Sequence, residues 1–76
     1  MSGLHDLKPE RVIKTLQRLG WIAVRISGSH VHMRKEGNPN ILSIPVHKGK
    51  PIKQGLMHAL INKAGLTEKE FLGLYK

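Results

Sequence analysis

Hydrophobic residues in the first part of the chain recur at the spacing of an α-helix. The apolar positions of this segment are Val12, Ile13, Leu16 and Leu19. Their pattern predicts an amphipathic helix from Pro9 to Leu19, with proline at the first helical position. Gly20 is typical of the left-handed residue that ends a helix, and Trp21 would then pack back on Leu16 in a Schellman motif.

After Trp21 the hydrophobic period falls to about two residues, which is typical of β-strands. In the first such segment, alternation predicts one face made of Ile22, Val24 and Ile26 and an opposite face made of Trp21, Ala23 and Arg25. Two further segments place their core residues at Val31 and Met33, and then at Leu42, Ile44 and Val46. Turns are predicted at 27–29 and 36–39. Pro45 indicates an edge strand or a strand end, because it has no N–H to donate.

The last third of the chain returns to helical spacing. Pro51 is expected to begin a second helix that runs to Ala64, with Gly65 ending it. Residues 67–70 have the sequence of a capping box, which predicts a short last helix. This order of elements predicts one α+β domain over residues 1–76. Its antiparallel three-stranded sheet would carry the helices on one face and leave the other open to solvent.

Alternation assigns a mostly polar set of residues to the open face of this sheet. The set is Arg25, His30, His32, Arg34, Ser43 and His47. Imidazole exchanges protons near neutral pH, and RNA carries its own nucleophile in the 2′-hydroxyl. Cleavage of RNA then needs a base, an acid and cations at the nonbridging oxygens. His30 with His47 or His32 would meet this need, although a strand histidine is often a plain surface residue.

The charge balance narrows the class of partner. Thirteen Lys and Arg residues against five Asp and Glu residues give a net charge of +8, which attracts polyanions such as nucleic acid. An acidic protein partner or a plain basic surface are the alternatives. The apolar segments are too short to cross a bilayer, so no membrane partner is expected. The chain has no cysteine, which fits a cytoplasmic protein.

Basic residues gather before the second predicted helix, at His47, Lys48, Lys50 and Lys53. Cations near the N-terminus of a helix destabilise it, because they are repelled by the positive end of the helix dipole. Basic residues at this place therefore indicate a functional role, and the role they suit is binding an anion. Lys48, Lys50 and Lys53 are therefore expected to bind phosphate, together with Arg25 and Arg34 on the sheet. A solvated basic loop is the alternative.

A zinc site built on the three histidines is also conceivable. No carboxylate lies on the predicted face, and the neighbouring Arg25 and Arg34 would repel a dication. Neither a metal nor another cofactor is therefore expected.

Three segments together resemble the HicA (YcfA-like) toxin family. They are residues 19–25 (Leu-Gly-Trp-Ile-Ala-Val-Arg), 28–33 (Gly-Ser-His-Val-His-Met) and 44–66, which begins Ile-Pro-Val-His-Lys-Gly-Lys. Gly-Ser-His alone would be a weak signal, and the specificity lies in the combination and order. Departures are small: Leu56 stands where a threonine is common, and residues 62–65 replace a Lys-Gln-Ala-Gly ending.

The resemblance implies an α-β-β-β-α fold like that of the double-stranded RNA-binding domain. It implies the toxin of a type II toxin–antitoxin system, a metal-independent endoribonuclease that cleaves mRNA until a HicB antitoxin covers its active face. The family's catalytic histidine corresponds to His30, after the turn residues Gly28 and Ser29, and its strand-end histidine corresponds to His47. The residues alone leave a non-catalytic RNA-binding module open. They offer no convincing recognition helix for DNA.

Overall fold

The computed structural model describes residues 3–75. Its elements follow the predicted order: α1 (Pro9–Arg18), β1 (Ile22–Ser27), β2 (His30–Lys35), β3 (Asn38–Pro45), α2 (Gln54–Ala64) and α3 (Glu68–Leu74). The strands form one antiparallel sheet in the order β1-β2-β3. The predicted α+β class and the α-β-β-β-α order are therefore confirmed.

The helices cover one face of the sheet and bury its core residues. Met33, Leu42 and Ile44 from the sheet are fully buried with residues of all three helices and of the N-terminal segment. The helix partners include Val12, Leu16, Met57, Leu60 and Phe71. The opposite face of the sheet is left open, as alternation predicted. No helix within residues 3–75 combines the length and the apolar character needed to cross a membrane.

Two helices end as the glycine positions predicted. At the end of α1, the Trp21 N–H donates to the Leu16 carbonyl (3.0 Å) and the Gly20 N–H to the Gln17 carbonyl (3.1 Å). These are the two bonds of a Schellman motif, and Gly20 has a φ of 99°. The same pair of bonds ends α2 at Gly65. The capping box of α3 is also present, with Thr67 as its N-cap.

The predicted start of the second helix is wrong. The helix begins at Gln54, with Lys53 as an N-cap that makes no side-chain capping bond. Ile52 is held elsewhere, because its N–H donates to the Leu7 carbonyl (2.9 Å) in an isolated bridge between distant parts of the chain. Pro51 therefore precedes the helix, and His47, Lys48 and Lys50 lie in a turn upstream of it.

The predicted phase of β1 is wrong from Trp21 to Val24 and right at Arg25 and Ile26. A bulge lies between Ala23, which pairs with Met33, and Arg25, which pairs with His32. Because Val24 is an extra residue opposite β2, the alternation is broken there. Ile22 and Val24 consequently lie on the open face beside Arg25. Trp21, Ala23 and Ile26 lie on the side of the helices.

Candidate nucleic-acid interface on the open sheet face

The strand pairing arranges the open face in rows that run across the sheet. Residues paired across antiparallel strands point to the same face. The first row is Ser27, His30 and Pro45, and the second is Arg25, His32 and Ser43. The third contains Ile22 and Arg34, with Val24 and Ile41 beside them. Polar and apolar residues are therefore concentrated at opposite ends of the face.

His30 lies at the tip of the β1–β2 hairpin. Gly28 has a φ of 60° and Ser29 has a negative φ, which is the pattern of a type II′ turn with glycine at its first central position. The turn closes on the pair Ser27 and His30, so it fixes the histidine as the first residue of β2. His30 is exposed, and nothing in residues 3–75 shields its ring from a large substrate.

His32 is held in place more firmly than His30. Its ring is half-buried, and its Nδ1 lies 2.9 Å from the Ser43 hydroxyl oxygen in the adjacent strand. Which of the two atoms donates depends on the tautomer of the imidazole. This contact orients the ring and leaves Nε2 as the nitrogen available to a ligand.

His47 lies beside the same hairpin turn as His30. The Val46 N–H donates to the Ser29 carbonyl (2.6 Å), so the chain after β3 stays next to the turn. His47 follows immediately, is exposed, and begins a turn closed by a bond from the Lys50 N–H to its carbonyl (3.0 Å). The structure therefore brings His47 and His30 to the same end of the sheet.

The five basic residues expected to contact RNA occupy two places. Arg25 and Arg34 are exposed on the sheet, in the second and third rows. Lys48, Lys50 and Lys53 are exposed in the segment between β3 and α2. None of the five makes a salt bridge within the described chain, where the only such contact is between His5 and Asp6.

Lys50 does not face a purely basic surface. It lines a cleft of about 360 Å³ between the N-terminal segment and the 47–50 turn, together with Lys8, Asp6 and Glu10. The carboxylates reduce the positive potential there. Lys53, as the N-cap, is the predicted phosphate residue that lies directly at the start of α2.

A second cleft, of about 410 Å³, lies on the open face itself. It is lined by Val24, Arg25, His32, Arg34 and Ile41. The apolar lining was missed by the sequence reasoning in the case of Val24, because a bulge leaves no mark on the hydrophobic period. Ile41 alternates with the buried Leu42, so it points away from the core and lies beside the two arginines.

Within residues 3–75, no three His, Cys, Asp or Glu side chains are grouped so that they could hold a metal ion. The histidines at the hairpin end are accompanied by serine, proline and basic side chains rather than by carboxylates.

A small α+β domain with a basic, histidine-bearing open sheet defines a candidate nucleic-acid-binding protein. The family model described as the HicA toxin of bacterial toxin–antitoxin systems matches residues 9–66. The chain therefore belongs to the HicA toxin family, and membership implies an antitoxin as partner. A search of curated proteins gave no match.

Proposed function

We propose that this toxin is a metal-independent endoribonuclease that cleaves mRNA in the cytoplasm, with His30 as a general acid or base. The observation that carries the proposal is the position of His30. The hairpin turn presents its ring, exposed, on the open face of a protein with net charge +8. Membership of a toxin family supports a destructive activity rather than simple binding.

The proposed reaction uses the substrate's own hydroxyl. A general base removes the proton from the 2′-oxygen, which attacks phosphorus while the bond from phosphorus to the 5′-oxygen breaks. A general acid protonates the leaving 5′-oxygen, so the products are a 2′,3′-cyclic phosphate and a free 5′-hydroxyl. The reaction therefore needs two groups, one that starts unprotonated and acts as the base and one that starts protonated and acts as the acid.

His47 and His32 are the candidates for the second group. His47 is supported by the backbone bond that brings it beside the turn before His30. His32 is supported by its position on the same strand and face, two residues from His30, a separation of about 7 Å along a strand. Such a separation would allow two imidazoles to contact opposite sides of one phosphate.

The unpaired cations supply the remaining requirement. Negative charge develops on the nonbridging oxygens during attack, and fixed cations stabilise it. Arg25 lies in the row next to His30 and is the nearest arginine by strand pairing. Lys48, Lys50, Lys53 and Arg34 are proposed to hold flanking phosphates, which would position the strand without selecting a base sequence.

The test is cleavage of a labelled mRNA fragment by purified wild-type protein and His30→Ala, each in the presence of EDTA. We expect wild-type cleavage with EDTA and no detectable cleavage by the variant. His58→Ala is the matched control, because His58 is exposed on α2, outside the three rows. Circular dichroism would show that all three proteins fold.

Three results would contradict the proposal. Cleavage by His30→Ala at the wild-type rate would remove His30 from the mechanism. RNA binding without cleavage by either protein would instead favour a non-catalytic RNA-binding module. Loss of wild-type cleavage on adding EDTA, restored by a divalent metal, would contradict the metal-independent reaction.

A further inference from the structure

Three aliphatic side chains are exposed together at the end of the open face away from the hairpin turn. Ile22 is 64% exposed, Val24 is 55% exposed and Ile41 is 48% exposed. Val24 and Ile41 line the same cleft, and Ile22 is paired with Arg34, which also lines it. We call Ile22, Val24 and Ile41 the apolar end of the face.

The apolar end does not serve the fold. All three side chains lie on the opposite side of the sheet from the buried cluster, and none belongs to the residues packed against that cluster. Solvent-facing positions of a half-buried antiparallel sheet are ordinarily polar. Adjacent exposed aliphatic residues of this kind mark an interaction site.

The chemistry of the apolar end favours a protein over RNA as its occupant. Proteins bind unpaired bases chiefly by stacking them on aromatic rings, and this cleft is lined by valine and isoleucine. Aliphatic side chains instead form the dry centre of protein interfaces, with charged residues around them.

The charge around the apolar end defines the partner further. Arg25 and Arg34 line the cleft without ion pairs in the described chain, and no carboxylate lies in any of the three rows. Two unpaired arginines complement acidic side chains. A second copy of this chain would bring another net charge of +8 to the interface, which is repulsive.

We propose that the antitoxin anchors at the apolar end, through an acidic segment that places aliphatic or aromatic side chains against Val24 and Ile41. The proposal rests on the antitoxin partnership that family membership implies. It predicts that a variant can lose inhibition by the antitoxin and still cleave RNA. The anchoring residues lie in and beside the third row, whereas His30 lies in the first. The antitoxin then covers the histidines from an attachment point whose aliphatic residues are not among those proposed to contact RNA, whereas Arg25 and Arg34 beside them would be shared.

β1 provides a matched control for this proposal. Ile26 lies on the same strand as Val24 and is 71% exposed, but it is paired with Val31 on the side of the helices. Val24→Asp and Ile26→Asp therefore make the same change in charge at two exposed positions on opposite faces.

The experiment measures the affinity of the toxin for its cognate antitoxin by isothermal titration calorimetry. We expect Val24→Asp to weaken binding at least about 100-fold, because it removes an apolar contact and adds a repelled charge. We expect Ile26→Asp to change the affinity by less than about threefold. Ile41→Asp, on a different strand, is the second variant in case Val24→Asp fails to fold.

Each remaining outcome bears on the proposal. Undiminished binding by both Val24→Asp and Ile41→Asp would overturn it. Equal losses for Val24→Asp and Ile26→Asp would place the partner along the free edge of β1 rather than on the face. If Val24→Asp and Ile41→Asp lost RNA cleavage but kept the wild-type affinity for the antitoxin, the cleft would be assigned to RNA and the proposal overturned. The binding comparison stands even if the wild-type protein cleaves no RNA, so failure of the proposed enzymatic function is distinguishable.

Discussion

The two ends of the open face differ in the chemistry they present and in how the chain builds them. The turn end, made of Ser27, His30, Pro45 and the adjoining His47, is polar and is fixed by a tight hairpin turn. The apolar end depends on a bulge that brings Val24 onto the face. One small sheet thus offers groups suited to proton transfer at one end and a surface suited to protein contact at the other.

The largest expected effect is at the turn end. General acid–base catalysis contributes about 100-fold to 10,000-fold to a rate, so His30→Ala should lower the single-turnover cleavage rate by at least about 100-fold. Ile22→Ser, at the apolar end, should leave that rate within about twofold. Similar losses in the two variants would show that the ends are not functionally distinct.

The second-largest effect identifies which histidine, His32 or His47, exchanges protons together with His30. His32→Ala and His47→Ala should differ, with the proton-transfer partner of His30 losing at least about 100-fold and the other histidine much less. The dependence of the cleavage rate on pH checks the assignment, because loss of the partner removes one limb of a bell-shaped profile. If His32 is the partner, Ser43→Ala should cost about fivefold, as expected for one hydrogen bond. Wild-type profiles in both histidine variants would contradict a two-histidine mechanism.

A smaller effect is expected in the basic segment beside the turn end. Neutralising Lys48 and Lys50 together, as Lys48→Gln and Lys50→Gln, should weaken RNA binding and reduce its salt dependence. Each lost phosphate contact lowers the slope of log affinity against log salt by about 0.7 for a single strand. The measurement is RNA binding by the His30→Ala background between low and moderate salt. Arg11→Gln and Lys14→Gln, exposed on α1, form the control pair. An equal loss of slope in both pairs would mean that net charge alone attracts RNA.

The smallest effect lies outside the open face, at the capping box of α3. Thr67→Ala should lower the free energy of unfolding by about 1 kcal/mol, typical of a lost N-cap. It should leave cleavage and antitoxin binding unchanged. Urea denaturation measures the loss, and an unchanged midpoint would show that the cap contributes nothing.

The same capping box predicts a pH dependence of stability. The backbone N–H of Thr67, and then its side chain, lower the pKa of Glu70 below its usual 4.5. A carboxylate with a lowered pKa in the folded state stabilises the protein above its unfolded pKa, and the contribution is lost as pH falls through the folded pKa. The difference in stability between wild type and Glu70→Gln should therefore be present at pH 7 and narrow below about pH 4.5. A difference that stayed constant down to pH 3 would contradict this sign.

Local signals predicted the elements and the turn end. Gly20 and Gly65 end their helices as expected because a Schellman motif is a local device, and the short turn at Gly28 fixes the register of His30. The histidine's catalytic assignment came from the family resemblance, since strand alternation could place the ring but not give it a role.

Long-range contacts explain what the sequence could not predict. The bridge between Ile52 and Leu7 delays the start of α2, and no local pattern near Pro51 indicates it. The bulge at Val24 likewise depends on pairing with β2. Alternation alone predicted Val24 on the face opposite to Arg25, whereas the bulge places both residues on the open face. The apolar end is visible only once the strands are paired.

The central claim is that the turn end of the open face cleaves RNA and the apolar end binds the antitoxin. Its most direct test is one RNA-cleavage assay run with and without antitoxin. We predict that wild-type toxin cleaves RNA and is inhibited, that His30→Ala does not cleave, and that Val24→Asp still cleaves RNA and escapes inhibition at the same antitoxin concentration. Full inhibition of Val24→Asp, or cleavage by His30→Ala at the wild-type rate, would contradict the account.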